Sequence, residues 1–266
     1  MNRMMMSIVF AACLAISCVL AHGSVNAEVL ILDDTLTVFD GEMYGASGCD
    51  SEIPQSDCKY FNMGGMATFR VGKTAAHVST AYRALMGFDL SDLPDHSCVQ
   101  LDSAILVLTA FYVAEGDSVL NAGFQSLLYD VIEGANASFA KARDSSFTWA
   151  ARIFKNNSDT IAWQVSGAKG NEDREDSVYS VSGDFSGAGS YRIDLSGLVD
   201  HWLDSSATER WCVLSDTMTT AGGRAFAMKH FWSSEASDST HRPRLEIYYR
   251  TDGRRRSETF SGGILR

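Results

Sequence analysis

Residues 99–113 read VQLDSAILVLTAFYV, and this stretch decides the fold. Val99, Leu101, Ile105, Val107, Phe111 and Val113 recur at period two, while Leu106, Leu108 and Tyr112 fall on the opposite face. Successive side chains of a strand point to opposite faces, so apolar residues on both predict a central strand covered on both sides. Outward from it, shorter runs of strand composition occur at 29–38, 67–71, 83–88, 125–132, 161–165, 191–195, 211–214, 226–231 and 245–249. Segments rich in Gly, Ser and Asp, notably 41–57 and 167–173, read as loops, and 135–151 reads as irregular. A single helix is expected, with Ser196 as its N-cap and Leu198, Val199, Trp202 and Leu203 on one face. Many short strands with one helix predict an all-β antiparallel sandwich or barrel.

The amino terminus carries Arg3, an apolar run from Ser7 to Ala21 and the small-residue triplet Val25-Asn26-Ala27. This is the pattern of a cleaved secretory signal over residues 1–27, so a secreted or cell-surface location is expected. The apolar run is too short to cross about 30 Å of hydrocarbon, and no membrane span is expected. The end of the chain, 251–266, contains Arg254-Arg255-Arg256 without an apolar period and reads as a disordered basic tail. Residues 28–250 are left as one domain, expected to be monomeric.

The formal net charge is −11, and losing Arg3 with the leader makes it −12. Such a surface repels nucleic acid and anionic lipid, which excludes nucleic-acid binding as a function class. Beyond the leader stand Cys49, Cys58, Cys98 and Cys212, an even number that allows three pairings. A Cys49–Cys58 bond would clip a polar loop, a Cys98–Cys212 bond would join two strands, and buried free thiols are the alternative.

Several segments together resemble the DNRLRE-domain family. The run YRALMGFDLSDLP at 82–94, followed by LDSAIL at 101–106, is similar to the family's arginine strand, Phe-Asp-Leu-Ser turn and following strand. Trp163 with Gly167-Ala168 and Asp173, the segment from Leu195 to Trp202, and the closing runs FWSSE at 231–235 and RPRLEIYY at 242–249 follow in the family's order. The resemblance covers about residues 29–250. It implies a jelly-roll β-sandwich related to the family 96 carbohydrate-binding modules, found on exported proteins and often joined to polysaccharide-degrading domains. The stretch from Cys49 to Cys58 looks like an insertion, and no catalytic partner domain is expected beside this one, which leaves the ligand open.

Recognition of a sugar needs flat apolar faces for its C–H bonds and forked polar groups for its hydroxyls. Tyr60, Trp163 and Trp232 border polar loops and are candidates for the first role. Arg83 and Asp173 are candidates for the second, Arg83 as a fork for a carboxylated sugar or another acid. The bland alternatives are that the rings belong to the core and that Arg83 pairs internally with Asp89 or Asp173. Trp202 and Trp211 read as core.

A structural Ca²⁺ ligated by Asp33, Asp34 and Glu246 is expected if the first and last strands are neighbours. No catalytic motif stands out: the sequence lacks a Gly-x-Ser-x-Gly elbow, a His-Glu-x-x-His pair and a phosphate-binding glycine loop. The expectation is a non-catalytic polysaccharide-binding module, with a structural or adhesive spacer and a polysaccharide-degrading enzyme as alternatives.

Overall fold

A computed structural model describes residues 27–45, 58–73, 81–94, 98–114, 120–138, 140–142, 145–156, 158–204, 209–216 and 227–251. Residues 1–26 of the expected leader, Cys49 and the tail beyond Thr251 lie outside the described residues, as do the side chains of Tyr112 and Val113, while Ala27 opens the first strand. The strands are β1 (Ala27–Leu32), β2 (Val38–Gly45), β3 (Phe61–Asn62), β4 (Thr68–Lys73), β5 (Ala81–Asp89), β6 (Val99–Ala114), β7 (Leu120–Ser126), β8 (Ala140–Lys141), β9 (Ala151–Asn156), β10 (Asp159–Ala162), β11 (Tyr179–Phe185), β12 (Gly189–Asp194), β13 (Glu209–Asp216), β14 (Met228–Trp232) and β15 (Arg244–Thr251). The helix is α1 (Ser196–Leu203).

Eleven strands form one antiparallel sheet in the order β1-β15-β6-β14-β4-β5-β13-β7-β11, with β12 beside β6 and β2 beside β5. The 16-residue β6 organises one layer, taking β15 along residues 99–107 and β12 along 105–110. The second layer is built on β5, which pairs β2 and β13 along its length. Between them the sheet curls through β14 and β4, so the two layers face each other as an all-β sandwich.

Alternation explains what fills the gap. Ala104, Leu106, Leu108 and Ala110 of β6 meet Ala84, Met86 and Phe88 of β5 in one buried cluster, joined by Phe69, Phe124, Phe231 and Ile247. The opposite face of β6 is only partly covered, since Phe111 is 38 % exposed and Ile105 half-buried. The expectation of a strand covered on both sides therefore holds fully for one face of β6.

Helix α1 lays Leu198, Val199, Trp202 and Leu203 onto the same core, and Trp202 Nε1 donates to Ser126 Oγ at 3.0 Å. Ser196 is not its N-cap. Asp194 Oδ1 accepts from the Ser196 N–H at 2.9 Å, while Ser196 Oγ accepts from the Ala104 N–H on β6 and ties helix to sheet.

Several boundaries differ from the sequence expectation. The run 29–38 is two strands, because Asp34 Oδ1 accepts from the N–H groups of Leu36 and Thr37 and closes a turn. β2 occupies part of the expected 41–57 loop, and β8 lies within the expected irregular region. The expected strand at 125–132 ends as β7 at Ser126.

From Leu127 the chain leaves the sheet and crosses the outer face of β5 and β13, forming the β9–β10 hairpin on the way and returning at Tyr179. Leu127, Val131, Phe147, Trp163 and Ala168 of this roof bury Met43, Leu85, Trp211 and Val213. The second layer is thus buried on both faces, by the core inside and the roof outside. No helix among the described residues is long and apolar enough to cross a membrane.

Candidate functional site

Where the roof ends, β5, β7 and β13 leave a cavity of about 400 Å³. Arg83, Gln125 and Ser215 reach it from the outer face of the sheet, Lys73 from the end of β4, and Lys169 and Arg174 from the roof. Four cations therefore surround one space in a strongly acidic chain, with Asp216 as the acid in its wall. Lys73 Nζ lies 3.9 Å from Asp216 Oδ2.

The sequence builds this locally. Gly167 has φ +79°, a backbone state that suits glycine, and a Cβ there would stand 2.8 Å from the Trp149 ring. The turn directs the Gly167 carbonyl to the Arg83 guanidinium, which donates to it. Arg83 also lies over the Trp149 ring, 5.4 Å from its centroid.

Asp173 shapes the loop that carries the other two cations. It is 2 % exposed, and its carboxylate accepts from the N–H groups of Gln164 at 2.7 Å, Val165 at 3.0 Å and Gly170 at 3.0 Å. That fixes 164–173 as a compact turn and sets Lys169 and Arg174 at the cavity.

The cations strain against one another. Burial, then the Arg174 charge, lowers the Arg83 pKa to about 10. Lys169 is lowered by burial and by Arg83, Lys73 and Arg174, and burial also lowers Arg174. Arg174 Nη1 is buried with no hydrogen-bond partner among the described residues. An anion carrying two or more acceptor oxygens would relieve both the repulsion and the missing bond.

Neither a family model nor a curated protein matches this chain.

Of the residues singled out in the sequence, Arg83 alone lines this cavity. Asp173 is structural, its oxygens spent on backbone N–H groups, so it is neither a ligand contact nor the partner of Arg83. Trp163 is 4 % exposed and its Nε1 donates to the Thr148 carbonyl at 2.8 Å, which makes it core. Trp232 stacks on His241 with centroids 5.5 Å apart and on Phe111 at 4.6 Å, on β14 away from the cavity. Tyr60 stacks on Phe154 at 4.6 Å below Lys59 and Lys141.

The expected calcium ligands do not converge. Strand β1 does pair with β15, placing Ile31 opposite Glu246. Glu246, however, is engaged by Arg192 at 2.6 Å, Arg244 at 2.9 Å and the Tyr248 hydroxyl at 3.1 Å. Asp34 serves its own turn, and Asp33 is exposed in that turn. Among the described residues, the acids that do meet are Asp40, Glu133 and Glu235.

Cys98 and Cys212 remain thiols. Of the two alternatives, the free thiol therefore holds for this pair, with Cys212 buried on β13 between β5 and β7 and Cys98 just before β6. Cys58 is buried and disulfide-bonded, its partner lying outside the described residues.

Proposed function

We propose that this chain is a non-catalytic module that binds an acidic polysaccharide, taking the sugar carboxylate in the pocket of Lys73, Arg83, Lys169 and Arg174. One observation carries the reading: four basic side chains gather around one cavity in a chain whose net charge is −11. A weakly polar sugar would gain little from such a field, whereas a carboxylate would neutralise it and accept the fork of Arg174. The sandwich, with its similarity in sequence to the DNRLRE domains and their jelly-roll relatives, supports the carbohydrate part of the reading. The leader pattern supports secretion or display at the cell surface, where such a polymer is met.

The test is calorimetric titration of the protein with an oligouronate and with a neutral oligosaccharide of equal length. Saturable binding of the oligouronate that weakens as salt rises is expected, because exposed charge contacts are screened. The neutral sugar should give no heat. Equal binding of both sugars, or silence with every charged saccharide tried, would overturn the proposal in favour of a spacer. Turnover of the oligouronate by the purified protein would make it an enzyme.

A further inference from the structure

The roof begins as well as ends with charge. At its first turn Glu133 meets Asp40 of β2 and Glu235 of the turn after β14, and each of the three offers a carboxylate oxygen within 4.8 Å of the other two. Glu133 Oε1 accepts from the Asp40 N–H at 2.6 Å, and Asp40 Oδ2 accepts from the Ser234 N–H at 2.7 Å. Glu235 Oε2 accepts from the Ser234 hydroxyl at 2.6 Å. These bonds hold the acids together without neutralising them.

Strand β2 supplies its own control. Asp40 and Glu42 are two residues apart, hence on one face, and each is 1 % exposed. Glu42 is matched by the Arg70 guanidinium, which donates to both its oxygens at 2.8 and 2.6 Å. Asp40 has no such match: its Oδ1 is buried with no hydrogen-bond partner among the described residues, and the charges beside it are those of Glu133 and Glu235. A buried carboxylate is ordinarily paired or coordinated to a metal.

We propose that Asp40, Glu133 and Glu235 form a binding site for a divalent cation of the calcium type, with the bare Asp40 Oδ1 as a ligand. Calcium accepts hard oxygens at 2.3–2.6 Å in flexible geometry, so oxygens on opposite sides of one ion stand about 5 Å apart. The spacing of the triad falls inside that span. The set contains oxygen alone, which suits calcium and not zinc or copper. Glu133 also lines an open cavity of about 410 Å³ with Phe39, Gly134 and Trp211. Gly134, at φ +82°, holds this bend, since a Cβ there would lie 2.4 Å from Asn62 Oδ1.

The experiment is a thermal melt of the full chain after EDTA treatment and dialysis, with and without CaCl₂. Calcium a hundredfold above its dissociation constant should raise Tm by about 5–10 °C. The shift should vanish in Asp40→Asn and in Glu235→Gln, each checked for folding by circular dichroism, and persist in Glu246→Gln. As a readout independent of stability, Tb³⁺ should luminesce on excitation of the Trp211 that shares the cavity with Glu133. Added Ca²⁺ should quench that emission, and Trp211→Phe should weaken it. A wild-type melt indifferent to Ca²⁺ with no Tb³⁺ emission, or a calcium response that survives Asp40→Asn and Glu235→Gln, would overturn the proposal.

Discussion

The two ends of the roof carry opposite charge for one physical reason. At the start, Asp40, Glu133 and Glu235 are brought together, and among the described residues no cation acts on Asp40 or Glu133. At the finish, Lys73, Arg83, Lys169 and Arg174 are brought together around a cavity lined by one acid, Asp216, with Asp173 and Asp176 beside Arg174. Glu42 and Glu246, by contrast, are neutralised internally, by Arg70 and by Arg192 with Arg244. Unbalanced burial at two places, and balance between them, is what distinguishes groups waiting for a ligand from groups that hold the fold.

That contrast is most exposed to attack at Asp173. Asp173→Ala deprives three backbone N–H groups of their acceptor and frees the loop bearing Lys169 and Arg174. Unfolding free energy should fall by about 3 kcal/mol in chemical denaturation, and oligouronate binding should disappear with it. Retained binding in that variant would show that the loop needs no such anchor.

The acidic end should respond to pH in EDTA. Asp40 and Glu133 titrate near 8 and 9 in the fold, above the ordinary carboxylate range of the unfolded chain. The unfolded state therefore releases these protons first as pH rises. The stabilisation is complete below about pH 4 and is lost progressively up to about pH 9. Urea melts from pH 5 to 9 measure it, and Asp40→Asn should flatten the slope; an unchanged slope would mean that Asp40 is not the titrating group.

At the basic end, Lys169→Ala and Arg174→Ala should each weaken oligouronate binding about tenfold, the loss of one charge-assisted contact, while leaving Tm nearly unchanged. A tenfold loss with the same salt dependence as wild type would argue against direct contact. The smallest effect belongs to Trp232→Ala, which should leave oligouronate affinity as it was, because that ring is committed to Phe111 and His241.

The layers of the sandwich were legible because burial left a period-two trace: Leu106 and Leu108 on β6, Leu245 and Ile247 on β15. Strand β2 was not, since VFDGEMYG places two acids and two glycines where a strand interior is expected to be apolar. Its acids are buried for their charge chemistry and not for packing, and alternation carries no sign of that. Arg83 was legible as a cation on a strand, but its companions come from β4 and from both sides of the Gly170 turn, so only the folded chain gathers them. A trace of the acidic site does exist in the pairs Asp40-Gly41 and Glu133-Gly134, where an acid precedes a residue free to bend.

One segment supplies a wall to each charged chamber, Glu133 near its beginning and Lys169 with Arg174 near its close. If both proposed ligands bind, occupancy of either chamber would restrain the same stretch of backbone, and part of the ordering entropy would be spent before the second arrives. Thermodynamic reciprocity then requires that whatever factor calcium adds to saccharide affinity, the saccharide returns to calcium.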